Sequence, residues 1–268
     1  MVGGTAAGLW SESAGRPDLP TLVVVHGSMD RAAGLLRLSR RLDTQFRVVR
    51  YDRRGYGRSR SVGPPWTVEA NVDDLEALVR ASPTVPVTLF GHSFGGNVAL
   101  ALAGRRPELV SSVVLYETPL SWFDWWPGDS AGGAAMAVDD PGDAAEAFMR
   151  RLVGDDVWER LPAAKREERR AEGATMVAEL ADLRRCPPWQ ADSVTAPVLS
   201  LYGERAKPHH REGMRRLVEM LPDCRSAMVV GAGHAGPHTD ADAVATSVVE
   251  FVRSSPRPSG SPSARSVG

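Results

Sequence analysis

Short apolar runs recur at 21–25, 46–51, 86–90, 110–117, 197–202 and 225–230, separated by stretches with apolar residues every three or four positions at 34–42, 68–80, 94–105, 208–221 and 241–253. Runs of five to eight residues rich in Val and Leu suit strands buried on both faces, and the intervening period suits amphipathic helices. Their alternation predicts an α/β fold: a mostly parallel twisted sheet with helices on both faces. One strand candidate, around 6–12, precedes the first run, so the N-terminal hairpin is expected to be short. Residues 119–193 break the alternation. They are rich in Ala, Glu, Arg and Trp, with helical spacing over 144–153 and 166–183, which predicts an inserted helical cap. The resulting division is a core of 1–118 and 194–253, a cap of 119–193, and a tail of 254–268 whose Ser, Pro, Gly and Arg content predicts disorder.

Composition narrows the function classes. A chain of 268 residues with 43% apolar residues and a formal charge of −1 suits one ordinary globular α/β domain with an insertion. Its arginines are scattered among carboxylates, which gives no nucleic-acid footprint. No apolar run reaches membrane-spanning length, and Met1 to Thr5 lacks the basic and apolar regions of a secretory signal, so a cytoplasmic location is expected. Cys186 and Cys224 have neither disulfide-framework nor metal-type spacing, and no metal or cofactor is expected.

The chemistry is concentrated in Gly91-His92-Ser93-Phe94-Gly95-Gly96, which follows the apolar run 86–90 and precedes an alanine-rich helical stretch. Strand, sharp turn and helix with serine at the tip form a nucleophile elbow, the flanking glycines relieving the crowding of the strained turn. Two further turns agree with it. Leu22 to Val25 runs into His26-Gly27-Ser28, and Ala227 to Val230 delivers His234 on a loop closed by Pro237. Serine precedes histidine in the chain, the order a hydrolase triad of this type needs.

On these residues the chain resembles the α/β-hydrolase superfamily over about 20–253, and Tyr51-Asp52-Arg53-Arg54-Gly55-Tyr56-Gly57-Arg58-Ser59 is similar to the turn after that family's fourth strand. The resemblance implies Ser93 as nucleophile, His234 as base, and an oxyanion hole built from the amide of Phe94 and that of Ser28 or Met29. It also implies a lid at 119–193. Five of the seven tryptophans lie in or beside that segment; Trp122, Trp125 and Trp126 follow a strand end that faces the site and are candidates for a pocket wall.

The acid departs from the commoner pattern. Where most relatives have Gly-x-x-Asp, this chain reads Gly203-Glu204-Arg205-Ala206. Glu117, at the end of the apolar run 110–117, stands where haloalkane dehalogenases and zearalenone lactonases carry a glutamate partner for histidine. Glu117 is therefore favoured and Glu204 is the alternative. Asp52 is expected to fix the next turn, His26 to stabilise the glycine turn, His92 to point away from the elbow tip, and His209, His210 and His238 to lie at the surface.

Serine at the elbow excludes the alkyl-ester chemistry of dehalogenases and epoxide hydrolases, where the nucleophile is a carboxylate. The resemblance implies a serine hydrolase cleaving a carboxylic ester or lactone of a small to medium apolar molecule. Thioester or carbon–carbon hydrolysis would use the same residues, and a noncatalytic ligand-binding homologue is the alternative of another class. The expected partner is a small-molecule substrate, and the sequence does not specify an oligomeric state.

Overall fold

The computed structural model describes residues 2–6, as backbone, and 8–255. The tail expected beyond 254 lies almost wholly outside the described residues. The chain opens with β1 (Val2–Ala6) and β2 (Leu9–Ala14), continues through β3 (Thr21–Val25), α1 (Leu36–Leu42), β4 (Arg47–Tyr51) and α2 (Val68–Arg80), and then reaches β5 (Val87–His92), α3 (Phe94–Arg105) and β6 (Val110–Tyr116). Five helices follow: α4 (Ala131–Met136), α5 (Pro141–Val153), α6 (Asp155–Arg160), α7 (Ala163–Arg170) and α8 (Gly173–Arg185). The fold closes with β7 (Val198–Gly203), α9 (Pro208–Met220), β8 (Cys224–Val229), α10 (Gly236–Thr239) and α11 (Ala241–Ser254).

The strands form one sheet in the order β1-β2-β4-β3-β5-β6-β7-β8. β1 and β2 pair antiparallel, β2 runs antiparallel to β4, and the remaining neighbours are parallel. The N-terminal hairpin is thus present, a correction to the single strand expected near 6–12. Val2-Gly-Gly-Thr-Ala carries too little apolar character to read as a strand. Backbone pairing with β2 supplies what the side chains do not.

Uninterrupted apolar strands are explained by the two cores they serve. Alternate residues point to opposite faces: Val23, Val25, Leu89, Val113 and Leu115 join one buried cluster with α2, α3 and α9, whereas Leu22, Val24, Phe90, Val114 and Tyr116 join a second with α1 and α11. The inserted helices form a third cluster around Phe148, Trp158 and Met176, which also takes in Met29 and Tyr56 from the loops after β3 and β4. Asn97 of α3 ties both ends of the insertion down, donating to the Pro119 carbonyl (2.9 Å) and accepting from Trp189 Nε1 (3.0 Å).

The helical pattern read over 166–183 hides a break at Ala171-Glu172. Gly173 opens α8 so close to the Pro141 carbonyl that a Cβ there would stand 1.9 Å from its oxygen. Glu172 meanwhile turns inward to take Arg31 (2.8 Å) and the Gly57 N–H (2.9 Å).

Candidate active site

Ser93 sits between β5 and α3 at φ 51°, ψ −126°, a backbone conformation that costs a non-glycine residue of order 1–3 kcal/mol. The turn survives because glycines stand on either side. A Cβ at Gly91 would lie 2.5 Å from Gly96 Cα, and one at Gly95 would lie 2.2 Å from the Val25 carbonyl oxygen. The Ser93 N–H donates to the Tyr116 carbonyl (2.9 Å), which fixes the elbow to the end of β6.

Glu117 follows immediately, fully buried and also at positive φ (47°). Its backbone N–H donates to the Leu201 carbonyl (3.0 Å), so the strand direction is held while the side chain swings toward the β7 and β8 loops. One carboxylate oxygen accepts from the Gly203 N–H (3.0 Å) and the other from His234 Nδ1 (2.8 Å). Glu204 is turned elsewhere: exposed, it accepts the Gly231 N–H (2.8 Å) and closes the turn after β8. Of the two sequence candidates, Glu117 is the one that reaches the histidine.

With Nδ1 committed to Glu117, Nε2 is the free nitrogen of His234. Ser93 and the His234 ring line one cavity, yet no hydrogen bond joins them among the described residues.

The Phe94 N–H is the first amide of α3, one of the donors that a helix leaves unpaired at its N-terminus. Ser28 lines the cavity, but its hydroxyl is not a free donor; it bonds Glu179 of α8 (3.0 Å). Met29, at φ 60°, packs its side chain into the third cluster. Glu179 gathers more than Ser28: fully buried, it also accepts from Tyr56 OH (2.8 Å) and forms an ion pair with Arg53, itself fully buried. Arg53 in turn donates to the His26 (2.9 Å) and Gly27 (3.2 Å) carbonyls. A carboxylate from the inserted helices thus grips the loop after β3.

The side chains around the cavity differ from the sequence expectation. Trp126 lines the cavity, but Trp122 and Trp125 do not. Trp122 sets its edge against Trp189 (5.6 Å between ring centroids), and Trp125 stacks on Phe123 beneath the Arg216 guanidinium (4.7 Å); both pack on the main core. His209 and His210 are not surface residues apart from the site: both line the cavity, and the His210 ring stacks on His234 (4.6 Å, 23°). Burial, then the neighbouring His234, holds His210 well below the usual histidine pKa. His238 is half-buried and bonded to Asp30 (3.0 Å).

His92 points back from the elbow tip and bonds the His234 carbonyl through Nε2 (3.0 Å). His26 bonds the Gly27 carbonyl through Nδ1 (2.7 Å) and accepts the Arg53 N–H at Nε2 (2.9 Å), a neutral tautomer that pins the glycine turn. Asp52 accepts the Ala32 (2.7 Å) and Arg58 (2.9 Å) N–H groups. Among the described residues two groups of side chains could hold a cation, Asp30 with His92 and His238, and Glu117 with His210 and His234, each bringing three donor atoms within 4.8 Å of one another. The second group includes the histidine–carboxylate pair itself. No helix among the described residues is long and apolar enough to cross a membrane.

Sequence reasoning missed Glu179 and Arg184. In α8 the residues Met176, Glu179, Leu180 and Leu183 follow the spacing of one buried stripe, so a carboxylate in that stripe was the available signal.

Comparison with known proteins agrees with this architecture. The sequence model of the alpha/beta hydrolase family matches residues 22–247. Lipase LipV of Mycobacterium tuberculosis is 35% identical over 133 residues, a stretch that spans 50% of this chain and 50% of the lipase. The chain therefore covers about half the length of that relative. An sn-1-specific diacylglycerol lipase of Mus musculus is 28% identical over 242 residues, 82% of this chain and 76% of the lipase. Among solved structures, an alpha/beta hydrolase from Sphaerobacter thermophilus superposes with a TM-score of 0.74 at 26% identity, covering 94% of this chain and all of that one.

Proposed function

The chain belongs to the alpha/beta hydrolase family, and from that premise we propose that it is a cofactor-independent serine hydrolase cleaving a carboxylic ester or lactone of a compact molecule through an acyl-enzyme. One observation carries the reading: the buried Glu117 holds His234 by Nδ1 at 2.8 Å, with Ser93 on its elbow in the wall of the same cavity. Ser93 Oγ attacks the carbonyl carbon while its proton passes to His234 Nε2. The oxyanion formed accepts from the Phe94 N–H and from the amide of the Ser28-Met29 loop. Collapse breaks the bond to the leaving oxygen, which takes the proton back from Nε2. Water, deprotonated by the same nitrogen, then attacks the acyl-enzyme, and the acid leaves as Ser93 regains its proton. Glu117 keeps the Nδ1–H tautomer throughout and offsets the imidazolium charge.

The segment 119–193 acts as a cap, and the cavity beneath it, open on one side, measures about 60 Å³, below the roughly 300 Å³ at which drug-sized ligand sites begin. Short acyl groups suit such a space, and longer groups extend through its open side. The test is Ser93→Ala assayed with an activated short-chain ester. Turnover falls to background with the melting temperature unchanged, because the elbow depends on its glycines. Wild-type turnover in that variant removes Ser93 as nucleophile.

A further inference from the structure

Arg184 stands out among the half-buried cations of the inserted helices; Arg160, which also has no carboxylate partner among the described residues, is exposed. Arg150, Arg151, Arg170 and Arg185 each pair with at least one carboxylate. Arg184 pairs with none among the described residues; its one hydrogen bond is from Nη1 to the Leu180 carbonyl at 3.3 Å, one helical turn back. It nonetheless turns inward. Leu180, Leu183 and Arg184 present one stripe of α8 to the cavity that Ser93 and His234 also line. The guanidinium lies against Gly132 of α4, where a Cβ would come within 2.9 Å of Nη2. Burial lowers its pKa, and no neighbouring carboxylate offsets that cost.

A half-buried guanidinium without a carboxylate partner among the described residues, in a cavity whose apolar wall is Phe94, Trp126, Phe148, Leu152 and Leu183 and whose polar side carries Ser93, His209, His210 and His234, is a cost to the protein that an anionic ligand removes. Resting on the serine-hydrolase reading, we infer that Arg184 is a specificity residue that binds an anionic group, a carboxylate above all, on the substrate whose ester or lactone is opened at Ser93. The substrate class thereby narrows from neutral apolar esters to short esters or lactones that carry an acid. The apolar walls take the linking carbons, and the guanidinium fork donates two parallel hydrogen bonds to the carboxylate.

Two matched pairs of probes test this, because the acid could lie on either side of the scissile bond: monomethyl glutarate against its terminal amide, and 4-acetoxybenzoate against 4-acetoxybenzamide. Each pair differs in charge and hardly in shape. The wild type should favour the anion of at least one pair by about ten- to a hundredfold in kcat/KM, the span of one charge-assisted contact. Arg184→Gln should bring that ratio to about one, mostly through KM, and Arg184→Lys should restore part of it. Thermal shift of the Ser93→Ala variant with the same probes reads binding without turnover: the anion should raise the melting temperature more than the amide does, and the added Arg184→Gln change should remove the difference. Equal rates on both members of both pairs, or a preference that persists in Arg184→Gln, overturns the assignment. Were Ser93→Ala fully active, the nucleophile would fall, while the anion preference would still be judged by its own ratio.

Discussion

Replacing Glu179 by glutamine keeps the side chain's size and removes a charge that three donors share. Arg53, fully buried, would keep only neutral partners: Asn71 Oδ1 (2.9 Å) and the His26 and Gly27 carbonyls. Tyr56 OH and Ser28 Oγ would face an amide that offers one acceptor oxygen where the carboxylate offered two. Removing one member of a buried pair costs about 3–5 kcal/mol, because the other charge stays buried and uncompensated. For a domain of this size each kcal/mol lowers the melting temperature by roughly 2–4 °C, so the variant should melt roughly 6–20 °C below wild type. Replacing both partners, as Arg53→Met with Glu179→Leu, should recover much of that loss, since two apolar groups bury without an orphan charge. Calorimetric melting of Arg53→Met, Glu179→Leu and the double gives the coupling directly. A Glu179→Gln protein melting within about 1 °C of wild type, or a double variant as damaged as the sum of the singles, would refute the reasoning.

Other substitutions and conditions probe the rest. Glu117→Gln removes the charge and can favour the wrong His234 tautomer; the precedent for such a change is a loss of about 10⁴ in kcat, whereas Glu204→Gln, which touches only the Gly231 turn, should stay near the wild-type rate on the same ester. Stability should also fall with acid. Burial, followed by the Arg53 charge for His26 and by the neighbouring His234 for His92 and His210, holds these histidines well below their usual pKa. Between about pH 6.5 and their folded-state values the unfolded chain binds more protons than the folded one, so stability is full above about pH 6.5 and declines below it. Melting curves from pH 8 to 5 should show that decline, and a flat profile would contradict it.

Much of the fold was legible because its strands must satisfy two cores at once. Leu22-Val23-Val24-Val25 is continuously apolar for that reason, and the elbow announced itself because Gly91 and Gly95 have no room for a side chain. Glu117 was legible as the end of an apolar strand. What the sequence concealed depends on approach between distant segments. β1 is a strand by pairing with β2 and not by its own pattern, and the break before Gly173 exists because Pro141 comes close. His209 and His210 face the cavity only because α9 starts beside the loop that carries His234. Trp122 and Trp125 look like Trp126 in sequence, and packing against Trp189 and Arg216 separates them.

The central claim is that Ser93 is a nucleophile activated by His234 under Glu117, and covalent capture tests it most directly. The native chain, the Ser93→Ala variant and the Glu117→Gln variant are each treated with a fluorophosphonate, followed by intact mass measurement and peptide mapping. The account predicts one adduct per native chain, on Ser93, none on Ser93→Ala, and slow labelling of Glu117→Gln. A folded native protein that stays unlabelled, or an adduct that maps to another residue, would contradict it.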